Sequence, residues 1–356
     1  MQYLIESQLI LEYTLHRTCV GGNKGIQKDL DDGIDTIGKK MTVCQLYAKQ
    51  IRHRGNVRYN TKNGRKRLMK LLEEDKLGGC PIDSVKLSDA KEWAIRMKEK
   101  GISYKTISND KRSLKAAFYT AIQDDCIRKN PFAFQLNTVI EDDTEPKVPL
   151  TPAQEESFLS FAQNDKVYQK YYDELIILLG TGLRISELCG LTDTDIDFEN
   201  RIINVDHQLL RSAETGYYIE TPKTKSGIRQ IPMSEKVYEA FNRVLKRRRG
   251  AKAVTIDGYS NFLFLNRDGY PKTATNYDGM FRGLAKKYNK YHEEALSKVM
   301  TPHTLRHTFC ANMANAGMNP KALQYIMGHS NITMTLNYYA HATFDSAKAE
   351  MLRIAA

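Results

Sequence analysis

From Thr42 onward, apolar residues recur at the spacing of one helix face: Val43, Leu46, Tyr47 and Ile51 form a stripe. Further amphipathic helices are predicted over 65–77 and 88–100, with Ser88 where an N-cap belongs and Gly101 where a C-cap does. A fourth is predicted over 103–124, its stripe made by Ile107, Leu114, Phe118 and Ile122. Together they imply a compact all-helical domain over residues 41–135. Upstream the pattern is poor. Gly21-Gly22 interrupts it, a short helix is expected over 24–32 up to Gly33, and residues 1–40 are set apart as an N-terminal segment.

Residues 136–150 read as a linker, because the run from Glu141 to Leu150 is acidic, carries two prolines and lacks periodicity. Thr151-Pro152 then opens a helix, with Thr as N-cap, Pro in the first turn and Gln154 completing a capping box. Short strands are expected over 202–205, 217–221 and 228–232, the last two joined through a Lys/Ser/Gly turn. A further strand is expected over 262–265, and helices take over again from Thr301. The fold class is therefore multidomain and mostly α. An all-helical domain precedes a mixed α+β domain, residues 151–345, with a small antiparallel sheet, and residues 346–356 form a tail helix.

Composition narrows the setting. Of 356 residues, 41% are hydrophobic and 27% charged, the balance of a globular protein. No window is apolar enough to span a membrane, and the stretch from Leu4 to Leu15 lacks the marks of a secretory signal. The six cysteines are scattered without a C-x-x-C pair, so reduced thiols and a cytoplasmic location are expected. Positive charge is concentrated. Residues 41–130 hold 21 Lys and Arg against 10 Asp and Glu, a surplus equal to the net +11 of the whole chain. A polyanion such as nucleic acid suits that distribution, and so does a merely solvated basic face.

Three stretches carry candidate chemistry. In the run Thr181 to Leu188 a glycine turn enters a helix, placing Arg184 at an N-terminus that favours anions, with Glu187 one turn on to hold it. An ordinary surface ion pair has the same pattern. In the run Thr301 to His307 a Thr-Pro helix start puts His303 and Arg306 on one face, a credible phosphate site. His303 and His307 also have metal-ligand spacing, but Thr304 stands where a zinc-protease helix has Glu, so neither metal nor cofactor is expected. The third stretch runs from Gly328-His329 to Tyr338-Tyr339-Ala340-His341. With the helix opened by Asn319-Pro320 it also reads as a helix-turn-helix, the signature of a DNA-binding regulator without chemistry.

Taken in order, T-G-L-R-I-S-E-L, His303-x-x-Arg306 and G-H-S-N-I…Y-Y-A-H resemble the signature boxes of tyrosine recombinases. Stretches such as ETPKTKSGIRQIPM and TPHTLRHTFCANMANAGMNPKALQYIMGH are most similar to integrases of conjugative transposons. The resemblance implies a DNA strand transferase that works through a covalent 3′-phosphotyrosine without metal or ATP. It implies a core-binding domain and a catalytic domain on duplex DNA, a homotetramer on two sites, and an excisionase or host DNA-bending protein as accessory. Arg184 and Arg306 would clamp the phosphate, His303 would act as general base and His329 as a hydrogen-bond donor. A hairpin lysine would protonate the leaving oxygen; Lys223 and Lys225 both qualify, and the K-T-x-S-G-x-R-x-I-P frame favours Lys223. For the nucleophile, the Tyr-x-His ending favours Tyr339, whereas a spacing of nine from His329 selects Tyr338. Members of the family usually carry an arm-binding domain, of which residues 1–40 would be a remnant. A type IB topoisomerase would share the chemistry.

Overall fold

The computed structural model describes residues 38–55, 57–145, 148–248, 254–297, 300–339 and 351–352. The expected helix over 24–32 and nearly all of the tail lie outside them. The chain divides into two compact units, Met1–Glu145 and Pro146–Ala356.

The first unit is helical: α1 (Val43–His53), α2 (Tyr59–Glu73), α3 (Leu87–Glu99) and α4 (Tyr104–Gln123). Thr42 and Gln45 exchange side chain and backbone at the start of α1, so two of its orphan N–H groups are satisfied. The stripes read from the sequence meet in one core, where Leu46, Leu72, Trp93, Met97, Leu114 and Phe118 are buried and Trp93 meets Phe132 edge-on. Three boundaries differ from expectation. Helix α2 begins six residues early, because its first turns bury no side chain and so show no apolar stripe. It ends at Glu73 because Asp75 caps the following turn, accepting the Leu77 N–H at 2.9 Å and gripping Arg96 of α3 at 2.7 and 2.8 Å. Helix α3 is capped at Lys86, whose N–H donates to Asp89, and not at Ser88. Leu136 and Ile140 close this core, and 141–145 leave it as exposed irregular chain.

The second unit opens with α5 (Pro152–Asn164), whose Thr151–Gln154 capping box is the one legible in the sequence. Next come α6 (Tyr172–Thr181) and α7 (Ile185–Gly190). Five strands follow: β1 (Ile196–Asp197), β2 (Ile202–Val205), β3 (Gln208–Ser212), β4 (Gly216–Glu220) and β5 (Arg229–Pro232). The remaining helices are α8 (Glu235–Arg248), α9 (Ala274–Tyr291), α10 (Pro302–Asn315), α11 (Pro320–Met327) and the single turn α12 (Thr333–Leu336). Apolar α6 is the axle, packed against both α8 and α10.

The sheet differs from the reading. Strands 217–221 and 228–232 do not form a hairpin: β4 pairs with β3, which the sequence did not reveal, while β5 pairs with β2 in a separate β1-β2-β5 sheet. The Lys/Ser/Gly segment is thus a loop between two sheets, with a 3-10 turn at Lys225–Gly227. The expected strand over 262–265 is reduced to isolated bridges at Phe262 and Leu265. No helix among the described residues is long and apolar enough to cross a membrane.

Candidate active site

Helix α6 ends at Gly182 in a left-handed turn (φ +64°), and a side chain there would strike Phe309, 2.4 Å from an added Cβ. The turn delivers Arg184 as the N-cap of α7. Its N–H donates to Glu187 Oε2 at 2.8 Å, and its Nη1 donates to Glu187 Oε1 at 2.7 Å. The expected Arg184–Glu187 pair is present, but it is not an ordinary surface pair: Glu187 is buried.

A helix leaves its last carbonyls without partners and negative in potential, and guanidinium groups fill that need here. Helices α6 and α11 both end on left-handed glycines, Gly182 and Gly328. Arg306, buried in the second turn of α10, donates to the carbonyls of Gly182 and Met327. Arg184 donates to Gly328 O at 2.9 Å. Arg229, at the start of β5, donates to Ile326 O at 2.6 Å and holds both oxygens of Glu187, at 3.1 and 2.8 Å. Two guanidiniums, of Arg184 and Arg229, thus share the Glu187 carboxylate, and the charge of Arg306 acts on it from nearby. Burial pushes the Glu187 carboxyl up, but the hydrogen bonds and charge of Arg229, with Arg184 and Arg306 beside it, hold it at about 2. Burial and the neighbouring charge of Arg184 pull Arg306 down to about 9. The frame keeps an uncompensated positive charge, which an anion relieves.

His329 directly follows Gly328, is buried, and sets Nδ1 2.9 Å from Thr335 Oγ1 on α12. Burial, then the charges of Arg306, Arg184 and Arg229, lower it to about 4, so it is neutral at pH 7. Arg184, Arg306 and His329 therefore come together. His303 stands exposed on the first turn of α10. Lys223 and Lys225 are exposed on the loop between β4 and β5, which is not the hairpin expected, and that loop borders the site: Ser226 O lies 3.0 Å from where a Cβ on Gly328 would sit. The two tyrosines part company. The Tyr338 hydroxyl meets His307 Nδ1, whereas the Tyr339 hydroxyl donates to Met318 O at 2.5 Å, past the far end of α10. Burial, with Cys310 nearby, pushes the Tyr339 hydroxyl above the usual phenol range.

Arg229 escaped the sequence reading. Its signal was a cation at an inward position of an alternating strand, sharing a face with Ile231. The helix-turn-helix reading loses its second helix, since α12 is one turn long and Thr335 is tied to His329. Among the described residues, Asp195, Asp206 and His207 approach metal-ligand spacing, but His207 Nε2 donates to Gly190 O and its Nδ1 meets Asp206. This group is a strut under the C-terminus of α7.

Residues 149–346 match the model of the phage integrase family. The chain belongs to that family. The transposase from transposon Tn916 of Enterococcus faecalis is 68% identical over 329 residues, covering 92% of this chain and 81% of that protein. The solved Tn1549 transposon integrase in complex with circular-intermediate DNA is 77% identical with a TM-score of 0.84, covering 88% of this chain and 99% of that one. A lambda integrase dimer bound to a core site, at 15% identity and a TM-score of 0.59, shares the fold.

In this integrase the Glu187–Arg229 pair sets an expected acid profile. The carboxyl's folded pKa is about 2 against an ordinary 4.5, so its contribution is complete above about pH 4.5 and is lost as pH falls towards 2. The amount is about 3 kcal/mol. Urea denaturation across that window should show the loss. Arg229→Ala, which leaves Glu187 buried with less compensation, should cost about 3–5 kcal/mol at neutral pH. A cost below about 1 kcal/mol, on the scale of an exposed pair, would remove Arg229 from the frame.

Proposed function

We propose that this integrase is the site-specific recombinase of a transposon, cutting and rejoining duplex DNA through a 3′-phosphotyrosine. One observation carries the reading: residues 184, 306 and 329, from three distant stretches, meet at two helix ends in a buried, positively charged frame. Phosphoryl transfer gathers negative charge on nonbridging oxygens, and preorganised guanidiniums stabilise it without reorganising. Arg184 and Arg306 form the clamp. Neutral His329 donates a hydrogen bond to the same phosphate, and His303 acts as an acid–base partner at its edge. Lys223, on the loop beside Gly328, protonates the leaving 5′-oxygen.

For the nucleophile we place Tyr338 ahead of Tyr339. The Tyr339 hydroxyl is committed to a backbone carbonyl and is harder to ionise, while that of Tyr338 faces an imidazole. Spacing agrees. In solved Tn1549 integrase complexes one arginine is replaced by lysine and one tyrosine by phenylalanine, positions 154 residues apart. Arg184 and Tyr338 are also 154 apart, whereas Arg184 and Tyr339 are 155. The phosphotyrosine ester conserves the energy of the broken bond, so rejoining needs neither ATP nor metal.

Residues 41–140, five further than the sequence suggested because Leu136 and Ile140 complete that core, serve as the core-binding domain and 151–345 as the catalytic domain, joined through 141–150. Lysine and arginine contacts to phosphates supply most of the affinity, making it steeply salt-dependent. A homotetramer on two sites and an excisionase or host DNA-bending partner complete the reaction. A nicked suicide substrate tests the reading, since the downstream strand diffuses away after cleavage and traps the protein. A protein–DNA species that survives denaturant is expected. DNA binding without such a species would make the chain a regulator.

A further inference from the structure

His307 follows Arg306 directly on α10 and has no part in the scheme above. Its imidazole is half-buried, its Nδ1 meets the Tyr338 hydroxyl, and the two rings lie 5.8 Å apart at 31°. A free phenol ionises near 10, so a tyrosine attacking phosphorus at neutral pH needs a base on its hydroxyl. A base is recognised by reach before anything else. His303 stands one turn earlier, exposed, at the mouth of the helix. His307 is the imidazole that touches the reacting oxygen.

We infer that His307, not His303, takes the proton of Tyr338. The inference rests on Tyr338 being the nucleophile. Nδ1 accepts in the tautomer that carries hydrogen on Nε2. As Tyr338 Oη forms its bond to phosphorus, its O–H bond breaks and the proton passes to His307 Nδ1, leaving an imidazolium. The P–O5′ bond breaks with its electron pair on O5′, which takes a proton from the Lys223 ammonium. Rejoining reverses each step: His307 returns its proton to the departing phenolate, and Lys223 recovers its own from the attacking hydroxyl. Total charge is unchanged throughout. The arrangement divides the labour within α10, with His303 and Arg306 serving the phosphate and His307 serving the tyrosine.

The test is single-turnover cleavage of a nicked suicide substrate. His307→Ala should slow cleavage by about 10²–10⁴-fold with DNA affinity unchanged, and free imidazole should recover part of the rate. His307→Gln, which keeps a hydrogen-bonding partner for the hydroxyl but accepts no proton, should remain slow; this separates proton transfer from mere positioning. A substrate with sulfur in place of O5′, a leaving group that needs no proton, should rescue Lys223→Ala and leave His307→Ala slow. The inference is overturned if His307→Ala cleaves at the parental rate. It is equally overturned if His307→Gln restores full activity, or if imidazole rescues His303→Ala instead. Tyr338→Phe serves as the control in every arm. If it stays inert while His307 proves dispensable, only this inference fails. If it still forms the adduct, the nucleophile assignment itself has failed.

Discussion

Tyr338→Phe should bind DNA as tightly as the parent and form no covalent adduct, while Tyr339→Phe should still cleave. The contrast follows from where the two hydroxyls sit. Removing the Tyr338 oxygen removes the atom that attacks phosphorus, leaving the phosphate contacts that dominate affinity in place. Removing the Tyr339 oxygen deletes one hydrogen bond, to Met318 O, with a structural cost of about 1 kcal/mol. Denaturing gels of suicide-substrate reactions, run beside mobility shifts on the intact site, separate the two functions. Adduct formation by Tyr338→Phe and its loss in Tyr339→Phe would restore the spacing favoured by the Tyr-x-His ending.

Arg184→Ala should slow cleavage by about 10³-fold or more, the scale of losing a guanidinium from a phosphoryl-transfer clamp. Stability should barely move. The Arg184 side chain is 32% exposed, and Glu187 keeps its two bonds from Arg229 when Arg184 is cut back. Arg229→Ala has the opposite signature, a large stability loss from a side chain wholly buried against Glu187 and the Ile326 carbonyl. Comparing cleavage rates with urea midpoints for the two variants therefore tells the clamp from its support. Equal destabilisation by both would mean that Arg184 is structural.

How far these features can be read in the sequence depends on how local their causes are. The Thr151–Gln154 cap and the α4 stripe are decided within a few residues; the cap stands as read, and so does the stripe except at its end, where Ala121 and not Ile122 is buried. The first turns of α2 are just as local but carry no buried apolar residue, so periodicity had nothing to register. Strand pairing is only partly local. Strand β4 turns back on β3 through residues 213–215, but β5 pairs with β2 from 24 or more residues upstream, so the Lys/Ser/Gly segment that imitates a hairpin turn joins two different sheets. Arg184, Arg306 and His329 were legible because each sits at a helix end or glycine turn with its own local signal. The role of Arg229 was hidden by its partner, which lies 42 residues away. Tyr338 and Tyr339 are neighbours in sequence and separate in company, and that is decided by the packing of α10 and α12 beneath them.

The most direct measurement is to digest the trapped protein–DNA species with protease and nuclease and sequence the peptide that retains a nucleotide. A 3′-phosphoryl link on the Tyr338 oxygen is expected. A nucleotide on Tyr339, or on a residue far from Arg184, Arg306 and His329, would contradict it.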